Sequence, residues 1–188
     1  MAKKYVRTIP KRLRQRTHSD GDGNQIHNEI LLSLPREERE IIFSKLEFVR
    51  LTSLQLLHEV GDSIKSAYFC NSGMISTLNV FPDGKTVEVG LIGKEGFVGL
   101  PLVVGFRSSS VRSNVQIGGS AFRIGADALS DILVRCPTLA LRLHQFTHVM
   151  AMQVAQIAAC NRLHEVEERL ARWLLMCVQT EPEIVVCP

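Results

Sequence analysis

Hydrophobic spacing divides the chain into three stretches. Between residues 24 and 46 the apolar positions recur at helical steps. Ile26, Ile30 and Leu34 predict a first helix within Asn24 to Leu34, closed by Pro35. Pro35-Arg36-Glu37-Glu38 opens a second helix with acids in its first turn, where the helix dipole favours them, and Ile41, Ile42 and Leu46 form its apolar stripe.

From residue 47 to 125 the period shortens. Apolar alternation breaks into short β-leaning runs separated by turn signals: FVRL, LQLLHEV, SAYFC, MISTLNVF and KTVEVGLI, punctuated by Gly61-Asp62, Asn71-Ser72-Gly73, Pro82-Asp83-Gly84 and Gly93. Pro82-Asp83-Gly84 between two alternating runs predicts a hairpin. One helical turn is expected from Leu100 to Val104. A polar loop follows with Arg107 and Arg112, then strands over Val111 to Ile117 and Ala121 to Ile124, and a helix ending near Arg135. Strands this closely spaced, with no helices between them, argue for an antiparallel sandwich or jelly roll.

The third stretch is one long helix opening at Pro137. Leu139, Leu143, Phe146, Met150, Gln153, Ile157 and Cys160 advance in alternating steps of 4 and 3, a heptad seam with Gln153 as a polar member. A second apolar edge runs through Leu141, Val149, Met152 and Ala159. One face is expected to pack on its own domain and the other to meet a twin helix. The seam Leu139, Leu143, Phe146, Met150, Gln153 and Ile157 is assigned to the twin, with Gln153 fixing register. The competing reading buries both faces within one monomer. A further helix, His164 to Met176, carries the stripe Val166, Leu170, Trp173 and Leu174.

Composition changes this picture little. The 188 residues suffice for one well-buried domain and an extra element, and 45% hydrophobic with 22% charged residues is ordinary for a globular protein. The charge is unevenly placed. Seven of the 22 basic residues fall between Lys3 and Arg16 with no acid among them, leaving 15 basic against 19 acidic residues in the remainder. Residues 1–24 read as a disordered basic tail, able to touch phosphates without sequence preference or simply solvated. No apolar core of a secretory signal follows it. The five cysteines are dispersed without CxxC spacing, which predicts reduced thiols in a cytoplasmic protein and gives no support to a zinc or iron–sulfur centre. His144 and His148 stand one turn apart on the long helix, but no third ligand lies near them, so no metal site is assigned. No GxSxG, HExxH or Walker pattern occurs, and a cupin-like enzyme would need a ligand cluster where the strands offer only His58.

An ordered set of short segments carries a family resemblance: Glu59-Val60-Gly61-Asp62, Ala67-Tyr68-Phe69 to Gly73, Phe81-Pro82-Asp83-Gly84-Lys85, Gly96-Phe97-Val98-Gly99 and Arg112-Ser113. In order and spacing, over roughly residues 25–178, the chain resembles the Crp/Fnr family of bacterial transcription regulators. The resemblance implies an α+β, mainly β fold: a cyclic-nucleotide-binding-type β-roll with short N-terminal helices, a long C-terminal dimerisation helix and one further helix. It implies a sensor roll over 25–135, a dimerisation helix over 136–162, the first helix of a DNA-binding domain over 163–178 and a tail over 179–188. That tail is too short for a helix-turn-helix, so the DNA-reading module is expected to be missing.

In nucleotide-binding members of that family a Gly-Glu pair offers a carboxylate to the ribose, and an Arg-Ser pair holds the cyclic phosphate. Here Gly99 and Leu100 stand in the first slot and Arg112 and Ser113 in the second, and these four residues are the expected effector pocket. A buried ribose hydroxyl without its acceptor costs about 1–3 kcal/mol, so cyclic AMP or cyclic GMP is not the expected ligand. No other cofactor is expected; haem, through His58 or Cys70, is left open. The resemblance implies a homodimeric sensor and dimerisation module that couples an unknown effector to DNA binding in full-length relatives. The alternative is a ligand-free interaction subunit that forms inactive mixed dimers with them.

Overall fold

The computed structural model describes residues 18–180. The basic run from Lys3 to Arg16 and the segment 181–188 lie outside the described residues. The chain enters as a small hairpin of β1 (His18–Ser19) and β2 (Gln25–Ile26). Its turn is built on Asp20. Oδ1 accepts from the backbone N–H groups of Asp22 (3.1 Å) and Asn24 (2.7 Å), and Oδ2 accepts from the Asn24 side chain (2.9 Å). Residues 18–24, expected to continue the disordered tail, are therefore folded.

The first helix, α1 (Glu29–Leu32), is shorter than its apolar spacing predicts. Asn28 decides where it starts: its Oδ1 accepts from the Leu31 N–H at 3.1 Å as an N-cap. The fully buried Asn28 amide also donates to the carbonyls of Cys70 (2.7 Å) and Gly96 (2.9 Å), pinning the helix start to the sheet. Then α2 (Arg36–Phe43) begins after Pro35 as predicted.

The sheet comprises β3 (Glu47–Leu51), β4 (Leu56–His58), β5 (Ser66–Val80), β6 (Thr86–Ile92), β7 (Phe97–Val98) and β8 (Arg112–Gly125), with α3 (Leu100–Val103) between the last two. The strands are antiparallel in the order β3-β8-β5-β6, with β4 added to β8 and β7 to β5. The hairpin at Pro82-Asp83-Gly84 is as predicted, closed by the Phe81 N–H to Lys85 carbonyl bond at 2.9 Å.

Two predicted breaks are not breaks. Asn71-Ser72-Gly73 reads as a turn, yet β5 runs straight through it, and β8 runs through the gap predicted between Ile117 and Ala121. Pairing between β5 and β8 shifts register repeatedly between Cys70 and Ile75. Gly73 there has φ +80°, and a Cβ on it would stand 2.5 Å from the Ile117 carbonyl oxygen. The glycine serves a bend in two long paired strands rather than a chain reversal. Beyond the bend β8 carries β3 and β5 carries β7; before it β8 carries β4, and the far end of β5 carries β6. The folded-over sheet makes a roll, and its core holds the fully buried Phe69, Phe97, Ile75, Val115 and Ile124.

After β8 the chain leaves through α4 (Ala126–Arg135), α5 (Pro137–Leu163) and α6 (Val166–Thr180). No helix among the described residues is long and apolar enough to cross a membrane.

Candidate functional site

The register of β4 on β8 sets His58 opposite Ser113, so the next residues outward, Glu59 and Arg112, face each other across the pair. The Arg112 Nε lies 3.1 and 3.0 Å from the two Glu59 carboxylate oxygens, and Nη2 lies 2.8 Å from Oε2. This two-pronged pair is about 70% covered, with side-chain exposures of 31% and 30%. The Arg112 hydrogen bond, assisted by the Val60 N–H, holds the Glu59 carboxyl below the usual carboxylate range. The guanidinium expected to meet a phosphate is thus already met by an internal carboxylate, which occupies its Nε and Nη2 donors and offsets its charge. Ser113 is buried, in register with Thr77 on β5.

Gly99 and Leu100 belong to the other half of the roll. Gly99 follows β7, which pairs with β5 at Tyr68 and Phe69, whereas Arg112 pairs with β5 at Leu78. Gly99 caps α3, and Leu100 packs against the main core. The other loop arginine, Arg107, pairs with Asp127 at 2.7 Å in an exposed contact. The two residues left open for haem are engaged. His58 is buried with Nε2 2.8 Å from the Ser66 carbonyl, and burial pushes its pKa down. Buried Cys70 directs Sγ toward the carbonyls of Ser72 and Gly73. No group of three or more metal-ligating side chains occurs among the described residues.

The heptad seam of α5 corrects the assignment made from spacing. Leu139 and Leu143 are fully buried, and Phe146, Met150 and Ile157 nearly so, within the single chain. Leu139, Leu143, Phe146 and Met150 belong to the roll's own core. Gly96 and Gly90 admit them. A Cβ at Gly96 would stand 2.6 Å from the Phe146 ring, and one at Gly90 2.7 Å from the Met150 methyl. Gln153, expected to set register against a twin, instead pairs with the edge strand β6. Its Oε1 accepts from the Leu91 N–H at 3.0 Å and its Nε2 donates to the Leu91 carbonyl at 3.3 Å. The side-chain amide does for β6 what another strand would do.

The second edge is the open one. Leu141, Val149 and Met152 are 57%, 55% and 59% exposed, and Ala159 is exposed with them. At 100° per residue the two edges lie roughly 130° apart around the helix.

The start of α5 is also fixed from a distance. Cys136 gives no side-chain cap, and Glu38 of α2 supplies one. Its Oε1 accepts from the Thr138 N–H (3.0 Å) and its Oε2 from the Leu139 N–H (2.9 Å). Burial pushes the Glu38 carboxyl up, but the hydrogen bonds from Thr138 and Leu139 outweigh it and leave it below its ordinary value.

No family model matches the sequence, and no curated protein matches it. Solved structures do. The c-di-GMP-responsive global regulator CLP of Xanthomonas campestris superposes with TM-score 0.66 at 18% identity, over 82% of this chain and 77% of that one. A protein described as a Crp/Fnr-family transcriptional regulator, from Eubacterium rectale, superposes with TM-score 0.68 at 12% identity, over 81% and 72%. A cyclic nucleotide-binding domain from Methylobacillus flagellatus gives 0.60 at 16% identity, over 74% and 84%. The chain has the fold of the Crp/Fnr regulators and of cyclic-nucleotide-binding domains.

Within that fold, spacing missed two residues that organise the site, Glu59 and Glu38, and found a third, Gln153, with a different partner. Glu59 meets Arg112 only through a strand register that joins positions 53 apart. Glu38 did leave a signal: it stands one helical turn before Ile42, on the buried face of α2, and a carboxylate on an apolar face implies a buried partner. Gln153 left the same signal, and the seam argument gave its amide to the wrong neighbour.

Proposed function

We propose that this chain is the sensor and dimerisation module of a Crp/Fnr-type transcription regulator, acting in the cytoplasm and without catalytic activity of its own. The observation that carries the reading is the division of labour on α5. One apolar edge is consumed by the chain's own roll, and the other, Leu141, Val149, Met152 and Ala159, is left open along the helix. A single chain has no use for that second edge; a twin helix does. The fold shared with CLP and the Eubacterium rectale regulator supports the same conclusion.

The effector pocket is read as closed to a cyclic nucleotide bound in the family's usual way. Leu100 supplies no acceptor for a ribose hydroxyl, and Arg112 is bound by Glu59. The roll then signals through changes in how the paired helices sit, as a two-state coupling.

Sedimentation velocity of the full chain tests the dimer. A dimer at micromolar concentration is expected, converted to monomer by Met152→Glu. A wild-type monomer at high concentration would remove the reading. Calorimetry with cyclic AMP, cyclic GMP and c-di-GMP tests the pocket. No heat of binding is expected for the two cyclic mononucleotides, and tight binding of either would show that the Glu59 closure is wrongly read.

A further inference from the structure

Half-covered charges in this chain mostly find partners within it. Glu59 holds Arg112, Glu38 caps α5, and Glu88 of β6 accepts from the Trp173 Nε1–H of α6 at 3.1 Å, beside the cluster of Met74, Leu91 and Cys177. Arg39 of α2 is an exception. Its Nη2 donates to the Leu34 carbonyl at 3.3 Å, and its Nε is buried without a partner. It joins none of the ion pairs among the described residues. A guanidinium presents its donors as a planar fork, and most of this fork is unanswered.

Arg39 lines a cleft of about 380 Å³ between α2 and the β1–β2 hairpin, shared with the apolar Ile26 and Phe43 and the charged Asp20, Arg36 and Glu40. No lining residue comes from β3 to β8, so the cleft is not the effector pocket of the roll. Both of its acids are already engaged. The Asp20 carboxylate accepts from the backbone of Asp22 and Asn24 and from the Asn24 side chain, and Glu40 pairs with Arg36 at 2.8 Å. Arg39 is left as the charge without a counterion. A carboxylate matches a guanidinium fork with two parallel hydrogen bonds, and Ile26 and Phe43 suit an apolar body behind it. With Asp20 and Glu40 at the same cleft, a monoanion meets less repulsion than a doubly charged phosphate.

We propose that this cleft is a binding site for a small monocarboxylate with an apolar or aromatic body, its carboxylate held by Arg39 and its body laid against Ile26 and Phe43. The site lies apart from Arg112 and from the open edge of α5, so the inference goes beyond the function proposed above and does not depend on it.

Titration of the full chain with benzoate, followed through the amide chemical shifts, tests the site. Benzoate is expected to bind with Kd of about 1 mM or below. The shifts should centre on Gly21, Ile26 and Arg39 and leave Arg112 and Ser113 unmoved. Benzamide has the same shape without the charge and should bind about tenfold more weakly or worse. Inorganic phosphate should also bind more weakly than benzoate. Arg39→Gln should weaken benzoate about tenfold or more, and Arg39→Lys, which keeps the charge but not the fork, should recover part of the loss. The benzamide comparison is made on the wild type, so it decides the charge requirement even where Arg39→Gln fails to fold. No shifts up to about 20 mM benzoate would overturn the proposal. So would equal binding of benzamide, tighter binding of phosphate, an affinity unchanged in Arg39→Gln, or shifts centred on Arg112 and Ser113.

Discussion

α5 and α6 both lie against the roll, yet they are held in opposite ways. α5 is anchored in depth. Its seam enters the main core, two glycines make room for it, Gln153 completes the edge of β6, and Glu38 caps its start. α6 is anchored at the surface by one indole, one carboxylate and three buried side chains. The contrast teaches that helicity and apolar stripe do not predict how firmly a helix is held; the number and depth of its attachments do. It also separates roles. A deeply set α5 can transmit a change in the roll as a rigid body, whereas α6 is held by fewer and shallower attachments.

The comparison can be broken most forcefully at the seam. Leu143→Ala is expected to cost about 2–5 kcal/mol of global stability, read as a lower urea midpoint. A variant that keeps wild-type stability but loses the dimer would return the seam to a partner helix. Glu38→Ala comes next. It leaves the start of α5 uncapped and should cost about 2 kcal/mol. The pH dependence follows from the lowered pKa of Glu38. Its stabilisation is present above the unfolded-state carboxylate value and is lost as pH falls through the lower folded value. Wild type should therefore lose stability on acidification by an increment that Glu38→Gln lacks, measured by urea unfolding across pH 2 to 6 (roughly the carboxylate range).

Gly90→Ala is expected to have a smaller effect, about 1–2 kcal/mol, because the new methyl meets the flexible end of Met150 at 2.7 Å and the Gln153 amide at 2.8 Å, which can shift in part. Glu88→Ala should have the smallest global effect, within about 0.5 kcal/mol by urea midpoint, while loosening α6 locally. A large global loss there would erase the distinction between the two helices.

Much of this architecture was legible in the sequence. The Pro82-Asp83-Gly84 hairpin, the helices opening at Pro35 and Pro137 and the short turn after Gly99 all follow from local chemistry that needs no tertiary context. The failures share a cause. Gly73 reads as a turn because a glycine between two apolar runs looks the same whether the chain reverses or a long strand bends; only the neighbouring β8 distinguishes them. The heptad seam fits either a twin helix or the chain's own roll, since periodicity records which residues share a face and not what covers it. The Arg112 site was half legible. The guanidinium stands in the sequence, but the carboxylate that closes it arrives through the pairing of His58 with Ser113.

Site-directed crosslinking tests most directly the claim that the two edges of α5 serve different neighbours. Cysteine is placed singly at Val149 or Met152 on the open edge and at Leu143 on the seam, followed by mild oxidation and non-reducing electrophoresis against the wild type. The account predicts covalent dimers from Val149→Cys and Met152→Cys and none above background from Leu143→Cys. Dimers from the seam variant with none from the open edge would contradict it.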